Sequence, residues 1–276
     1  MVTPRRLILT CLVLSVLLLS VSAGRAQDAP TAPTITYRTE AIAADQWATR
    51  FTPDQLALLE KINRRDVAHL RRLSTIIVPD RWDAGELSYS PLPQQWPESA
   101  HLPRIIVVDQ PMQVFGAYEA GVLVRWGPVS TGRKETPTPA GSYNLTWKAK
   151  SRISTDNDQW KLKWYFNFIN SRGVSFHEFD LPGSAASHAC VRLLSRDAEW
   201  LYGWGEQWRL TKDGRAVETP GTPVIVQGVV DFSKPTPWTD LASWRTPVVM
   251  SKPPEATRRA PVDAASATAS GRATRR

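Results

Sequence analysis

The chain has 276 residues, 42% of them hydrophobic, and a formal charge of +8, a composition typical of a globular protein. Arg5, Arg6 and Arg25 carry three of the positive charges and the segment after residue 250 a net four, which leaves +1 for the rest. The sequence has no P-loop, no GxGxxG after a strand, no HExxH and no cysteine pair for zinc, so we expect no nucleic-acid partner, no cofactor and no metal.

The first 26 residues predict a secretory signal peptide. Arg5 and Arg6 form a positive start, an apolar run follows, and small residues then suit cleavage. The run is shorter than the ~20 residues that cross a bilayer, so we expect cleavage and no stable membrane span afterwards. Cys11 does not fit a lipoprotein site. We therefore expect export to the periplasm or cell wall, with Cys190 as the single remaining thiol.

Residues 27–50 are polar with scattered proline and are predicted to form a linker. Residues 51–82 predict a helical segment, in which Thr52 caps a helix that begins at Pro53. The segment resembles the latter half of a LysM wall-binding module, although the Gly-Asp-Thr-Leu opening of that family is missing. The alternative is a helical lead-in that packs on the next domain.

A proline-rich linker is predicted over residues 83–100, and strand patterns dominate residues 101–230. Glu119-Ala120-Gly121 predicts a hairpin turn, and one clear helix is predicted from Ser195 to Trp208. Together these features predict a mainly β fold, an antiparallel sandwich or barrel-like sheet with one main helix. The predicted strands cover residues 104–109, 112–118, 122–130, 141–148, 164–170, 173–177 and 223–227.

The end of the chain, residues 231–276, begins with several prolines and then becomes rich in alanine, serine, threonine and arginine. This composition predicts a largely disordered tail. Its positive charge would suit contact with anionic wall polymer or lipid headgroups, although a solvated tail is the simpler interpretation.

The residues that carry chemistry surround Cys190. His177 and His188, two of the four histidines in the chain, lie within 13 residues before it. A thiol of pKa ~8.5 is mostly neutral at pH 7, and the thiolate is the nucleophile. A nearby imidazole can remove the proton and later return it to an amine or to water. The pair therefore predicts nucleophilic catalysis, with an inert core thiol and a structural histidine as the alternatives.

Ser187-His188-Ala189-Cys190-Val191-Arg192, together with the upstream His177, resembles the active-site signature of the L,D-transpeptidase (YkuD) family. The loop Thr136-Pro-Thr-Pro-Ala-Gly141 and the hairpin of residues 104–121 extend the resemblance to about residues 101–230. The resemblance implies Cys190 as nucleophile and His177 as base. It also implies an oxyanion and substrate site formed by Ser187, His188, the amides of Ala189 and Cys190, and Arg192, without a metal.

Several points stay open within this resemblance. The family glycine before the cysteine is Ala189 here, and glycine reaches backbone angles closed to alanine. We expect Ala189 to be harmless, because every other position of the signature fits. Either Glu178 or a loop carbonyl would orient His177, and His188 and Arg192 have purely structural alternatives.

The tryptophans support two further interpretations. Trp200, Trp204 and Trp208 recur every four residues and predict packing of their helix on the sheet rather than sugar stacking. Trp160 and Trp164, with Tyr165, precede the strand that leads to His177 and are candidates for a lid over the cleft.

The resemblance implies two-step acyl transfer on peptidoglycan stem peptides in cell wall biogenesis. Cys190 would attack the third residue of a donor tetrapeptide, D-alanine would leave, and an amine of a neighbouring stem would form a 3→3 cross-link. Water as acceptor would make an L,D-carboxypeptidase or endopeptidase, and a protein lysine would attach that protein to the wall. A non-catalytic peptidoglycan-binding protein is the alternative from another class.

Overall fold

The computed structural model describes residues 35–255. The predicted signal peptide, with Cys11, and the basic end of the chain lie outside these residues. Among the helices of the described part, none combines the length and the apolar character that a membrane crossing requires. The helices are α1 (Pro53–Asn63), α2 (Val67–Leu70) and α3 (Ser195–Trp204). The strands are β1 (Tyr37–Ala41), β2 (Thr75–Pro79), β3 (Arg104–Asp109), β4 (Val114–Glu119), β5 (Val122–Ser130), β6 (Gly141–Asn144), β7 (Lys148–Ile153), β8 (Lys161–Ile169), β9 (Val174–Glu178), β10 (Val191–Leu193), β11 (Arg209–Leu210), β12 (Val217–Thr219) and β13 (Pro223–Gln227).

Nine strands form one mixed sheet in the order β6-β13-β3-β4-β5-β10-β9-β8-β7. The sheet curls until its ends meet, since Thr146 just after β6 donates its amide to the carbonyl of Asn167 in β8 at 2.8 Å. The mainly β, barrel-like prediction is therefore confirmed. The antiparallel part of that prediction needs a correction, because β13 pairs with β3 and β10 pairs with β9 in parallel.

Strand β3 is buried on both faces, which explains its uninterrupted run of β-branched residues. Ile106 and Val108 belong to the core cluster under α3. Ile105 and Val107 belong to a second cluster on the other face of the sheet. The sheet therefore has a core on each side, and segments outside it must cover the second core.

The N-terminal segment supplies part of that cover. Here β1 and β2 pair in antiparallel register, with α1 and α2 between them. The side chain of Thr52 caps α1 by accepting from the amide of Gln55, as the sequence predicts. Residues 27–50 are not wholly a linker, because β1 lies within them. The sequence does not predict this strand, because its residues are polar and its pairing partner, β2, lies far along the chain.

Two more segments differ from their predictions. Residues 83–100 contain the buried side chains of Tyr89 and Trp96 and so form part of the second core rather than a free linker. Part of residues 231–255 packs on the fold rather than forming a free tail, because Trp238 is 3% exposed and belongs to the second core. The proline-rich sequence of both segments predicts a linker or a tail. Their aromatic rings are nevertheless buried by residues that are distant in the sequence.

Helix α3 ends at Trp204, four residues earlier than predicted. Ala198 and Leu201 insert into the core cluster beneath it. Trp200 and Trp204 lie partly buried at the edge of that cluster, with their rings stacked 5.1 Å apart. Trp208 lies beyond the helix, so only two of the three tryptophans pack as predicted.

Candidate active site

Of the two predicted catalytic residues, His177 lies in β9 and Cys190 directly precedes β10, the neighbouring parallel strand. Val191 pairs with Phe176, and Arg192 pairs with His177. Val191 and Phe176 point into the core. Because successive side chains of a strand alternate between faces, Arg192 and His177 point to the opposite face, and Cys190 precedes Val191 on that same side.

The turn that presents Cys190 is held by hydrogen bonds to its carbonyl groups. The Ser187 hydroxyl donates to the carbonyl of Cys190, and the Thr138 hydroxyl donates to the carbonyl of Ala189 at 2.8 Å. The amide of Arg133 donates to the carbonyl of Ser187 at 2.9 Å. The proline-rich loop ahead of β6 thus fixes the shape of the nucleophile turn.

Ala189 adopts a φ of +76°. This is the left-handed region, which costs an L-residue roughly 1–2 kcal/mol and glycine far less. The expectation that alanine is harmless at this position is therefore wrong in one respect. The turn does require a positive φ, and Ala189 holds it under strain.

His177 is 4% exposed, and its Nδ1 lies 2.9 Å from the carbonyl oxygen of Glu178. Since a carbonyl only accepts, Nδ1 carries the proton and Nε2 is the basic nitrogen. This contact answers the open question, because the backbone of Glu178 orients the ring. Burial lowers the pKa of His177 to about 4, so the imidazole is neutral at pH 7.

The Cys190 sulfur lies 3.5 Å from the Ser175 hydroxyl and 3.8 Å from the carbonyl of Gly173. Burial raises the pKa of the Cys190 thiol, and hydrogen bonds from Ser175 act in the opposite direction. The resting site therefore holds a neutral thiol beside a neutral imidazole. Ser175 and Gly173 are the hydrogen-bond partners of the sulfur, and within residues 35–255 no hydrogen bond joins the sulfur to the His177 ring.

Both residues line one cleft. The β7–β8 hairpin forms its outer wall with Asp156 and Trp160. His188 stands at the mouth, with its Nδ1 3.5 Å from the Asp156 carboxylate and its ring 5.4 Å from that of Trp160. Trp160 thus occupies the predicted lid position, whereas Trp164 lies against Tyr202 of α3 instead.

Two predicted substrate-binding residues make structural contacts. Arg192 also lines the cleft, but its Nη1 lies 3.1 Å from a carboxylate oxygen of Asp180 and its guanidinium lies 4.5 Å from the Phe179 ring centre. The Ser187 hydroxyl is committed to the carbonyl of Cys190, which differs from the predicted oxyanion contact. The amides of Ala189 and Cys190 remain the candidates for that contact.

Sequence reasoning missed three residues of this site. Ser175 lies two positions before His177, so strand alternation alone places it on the same face. Thr138 lies in the loop that the sequence analysis noted without giving it a role. Asp156 lies at a hairpin tip and carries no signal in its neighbours. In residues 35–255, no group of three or more histidine, cysteine or acidic side chains is placed to hold a metal ion.

Residues 103–226 match the model of the YkuD family, the L,D-transpeptidase catalytic domain. Probable L,D-transpeptidase 3 of Mycobacterium tuberculosis (strain ATCC 25618 / H37Rv) is 36% identical over 124 residues, which are 40% of this chain and 40% of the relative. The chain thus matches less than half the length of this curated relative. The family predicted from the sequence is confirmed over the matched residues, and the LysM resemblance of residues 51–82 stays a prediction.

Solved structures of L,D-transpeptidases are also similar. A crystal structure from M. tuberculosis H37Rv is 29% identical, covers 46% of this chain and 58% of its own, and has a TM-score of 0.36. One from Stackebrandtia nassauensis is 23% identical, covers 46% and 57%, and has a TM-score of 0.38. The L,D-transpeptidase LdtMt1 in complex with imipenem is 21% identical, covers 45% and 59%, and has a TM-score of 0.37.

Proposed function

We propose that this chain, which carries a YkuD-family L,D-transpeptidase catalytic domain over residues 103–226, transfers acyl groups between peptidoglycan stem peptides through Cys190. One observation supports this most strongly. The only free cysteine of the described residues, directly before β10, and a buried histidine of the adjacent parallel strand β9 line one cleft.

In the first step, Nε2 of His177 takes the thiol proton as the Cys190 sulfur attacks the carbonyl carbon of the third stem residue. The carbon–nitrogen bond to the terminal D-alanine then breaks, and the imidazolium returns the proton to the leaving amine. A thioester remains on Cys190. Because both partners start neutral, the transfer needs no preformed thiolate, and it proceeds when substrate brings the sulfur and the ring together.

The developing oxyanion is stabilised by the amides of Ala189 and Cys190, whose orientation the strained turn fixes. In the second step an amine of a neighbouring stem attacks the thioester carbonyl carbon while His177 takes the amine proton. The carbon–sulfur bond then breaks, the imidazolium returns the proton to the Cys190 sulfur, and a 3→3 cross-link is left. Water at the same step would give a tripeptide, and a protein lysine would give a protein attached to the wall. We further propose that the protein acts outside the inner membrane, since its substrate lies there.

The direct test is incubation of the purified protein, without its predicted signal peptide, with a disaccharide-tetrapeptide, followed by mass spectrometry. We expect a cross-linked dimer with some tripeptide, and neither product from Cys190→Ala. Ser154→Ala is the matched control, because Ser154 lines the same cleft without a place in the chemistry, and it should keep activity. Full activity of Cys190→Ala would refute the assignment.

A second assay separates an enzyme from a non-catalytic wall-binding protein. Imipenem, which is present in the solved LdtMt1 complex, should add its mass to the wild-type protein and not to Cys190→Ala. Binding to intact peptidoglycan without acylation of Cys190 would favour the wall-binding alternative instead.

A further inference from the structure

The N-terminal segment lies outside the matched catalytic domain and yet contacts the loop that joins the two catalytic residues. We call residues 179–186 the bridging loop, because they run from the strand of His177 to the turn of Cys190. The amide of Asp66 donates to the carbonyl of Leu181 at 3.1 Å, and the Asp66 carboxylate accepts from the Leu181 amide at 2.7 Å. Asp66 and Leu181 are thus joined by two hydrogen bonds.

Arg65 adds a second contact to the same loop. Its guanidinium donates to the carbonyl of Pro182. It also covers Gly183, where an added Cβ would lie 2.6 Å from the guanidinium carbon. Gly183 has a φ of +83°, so the loop bends sharply at the point where the Arg65 side chain covers it.

The two ends of the bridging loop are tied to strands β10 and β5, beside the nucleophile turn. Asp180 pairs with Arg192, which flanks the cleft. The carbonyl of Ser184 accepts from the Ser130 hydroxyl at 2.7 Å, shortly before the nucleophile turn begins. A shift in the middle of the loop would therefore move the pair of strands that set the spacing between His177 and Cys190.

The N-terminal segment is a firm anchor for this loop. Lys61, which is 1% exposed, donates to the carbonyl of Trp126 in β5 at 2.7 Å. Arg64, which is fully buried, donates to the carbonyl of Met112 at 3.0 Å. Both contacts attach the end of α1 to the catalytic sheet, directly before Arg65 and Asp66.

We infer that Asp66 is a positioning residue for the acyl transfer proposed above: through Leu181 it fixes the bridging loop and hence the relative placement of His177 and Cys190. This inference rests on the proposed function. It assigns to the N-terminal segment a role in turnover that does not require the segment to bind glycan.

The alternative is that Asp66 only caps α2, since its Oδ1 accepts from the amide of His69 at 2.9 Å. Oδ2 accepts from the Leu181 amide, and the two oxygens also lie 3.0 and 2.8 Å from Nδ1 of the His69 ring. One substitution separates the cap of α2 from the contact with the bridging loop. In Asp66→Ser the single hydroxyl can still cap α2, because serine is a good N-cap residue, but no second oxygen remains for Leu181. Thr52→Ala is the matched control, since it removes the cap of α1 at an exposed site away from the loop.

The experiment measures D-alanine release from the disaccharide-tetrapeptide, amide hydrogen exchange of residues 179–186, and the unfolding midpoint for the wild type and both variants. For Asp66→Ser we expect kcat to fall by about 10- to 100-fold, the range that a displacement of about 1 Å produces, with little change in KM. We also expect faster exchange in the bridging loop. Thr52→Ala should lower the unfolding midpoint at least as much and leave kcat unchanged.

Equal kcat and equal loop exchange in Asp66→Ser and Thr52→Ala would overturn the inference. If the wild type released no D-alanine, the proposed function would be wrong, and so would the turnover role of Asp66. The exchange data would then report only on the contact with the loop. A fall in kcat together with normal loop exchange would also count against the positioning role.

Discussion

Replacing Ala189 with glycine tests the strain in the nucleophile turn. The observed φ of +76° costs an L-residue roughly 1–2 kcal/mol, and glycine would remove that cost. Two effects oppose this gain in stability. Glycine has greater freedom in the unfolded chain, which costs about 0.4–1 kcal/mol, and the substitution removes a partly buried methyl group. We therefore expect Ala189→Gly to change the free energy of unfolding by less than about 1 kcal/mol, in the stabilising direction.

A matched variant isolates the strain itself. Ala186 lies in the same loop, is also partly buried, and is absent from the residues with positive φ. Ala186→Gly has the same unfolded-state cost and a comparable methyl loss, without strain to release. The difference between the two variants should thus be about 1–2 kcal/mol in favour of Ala189→Gly, measured by guanidinium unfolding.

The same pair of variants also reports on function. Glycine keeps the positive φ, so the amides at the turn stay in place and D-alanine release by Ala189→Gly should stay near the wild-type rate. Equal free energies of unfolding for Ala189→Gly and Ala186→Gly would refute the reasoning. They would mean that the turn relaxes to ordinary angles in solution.

Three further predictions follow from the site and its supports. The pKa of His177 is about 4 in the folded protein, against about 6.5 when unfolded, so the free energy of unfolding should fall by about 3 kcal/mol as pH drops through that window. The pH dependence of unfolding in His177→Gln should lack this fall. An unchanged pH dependence would contradict the lowered pKa of His177. Ser175→Ala removes a hydrogen-bond partner of the Cys190 sulfur, so the thiol should titrate at a higher pH in iodoacetamide alkylation, whereas Ser154→Ala should leave that pH unchanged. Lys61→Met leaves the buried carbonyl of Trp126 and the Glu86 carboxylate without their shared donor. The unpaired carbonyl should cost about 1–3 kcal/mol in denaturant unfolding. A loss no larger than for an exposed lysine such as Lys212 would argue against these contacts.

The sequence was sufficient to bring Cys190 and His177 together in one cleft and to predict much of the sheet, because both leave local signals. The β-branched run of β3 and the turn at Gly121 predict the hairpin, and the signature around Cys190 predicts the nucleophile and its base. The segments it misassigned share a different property. Trp96 and Trp238 are buried by contacts far along the chain, while their neighbours are proline-rich and locally resemble linkers.

The details of the site were harder to predict for the same reason. The carbonyl of Ala189, in the turn with positive φ, accepts from Thr138, which is 51 residues away along the chain. The contact between Asp66 and Leu181 spans 115 residues. No local pattern encodes either contact, because each depends on how the sheet curls and on where the N-terminal segment packs.

Burial sets the protonation states of the Cys190 thiol and the His177 imidazole. It raises the pKa of the Cys190 thiol and lowers that of His177, so both groups stay neutral, and a neutral thiol resists oxidation and alkylation far better than a thiolate. For a chain expected to carry a single thiol outside the cytoplasm, this is a protective state. The same burial leaves Nε2 of His177 unprotonated at pH 7 but makes it a weaker base than a free imidazole, so in the proposed reaction the proton moves only as the sulfur attacks. Reactivity then depends on geometry rather than on a standing charge, which is why the residues that set the spacing of the two strands, Asp66 among them, should govern turnover.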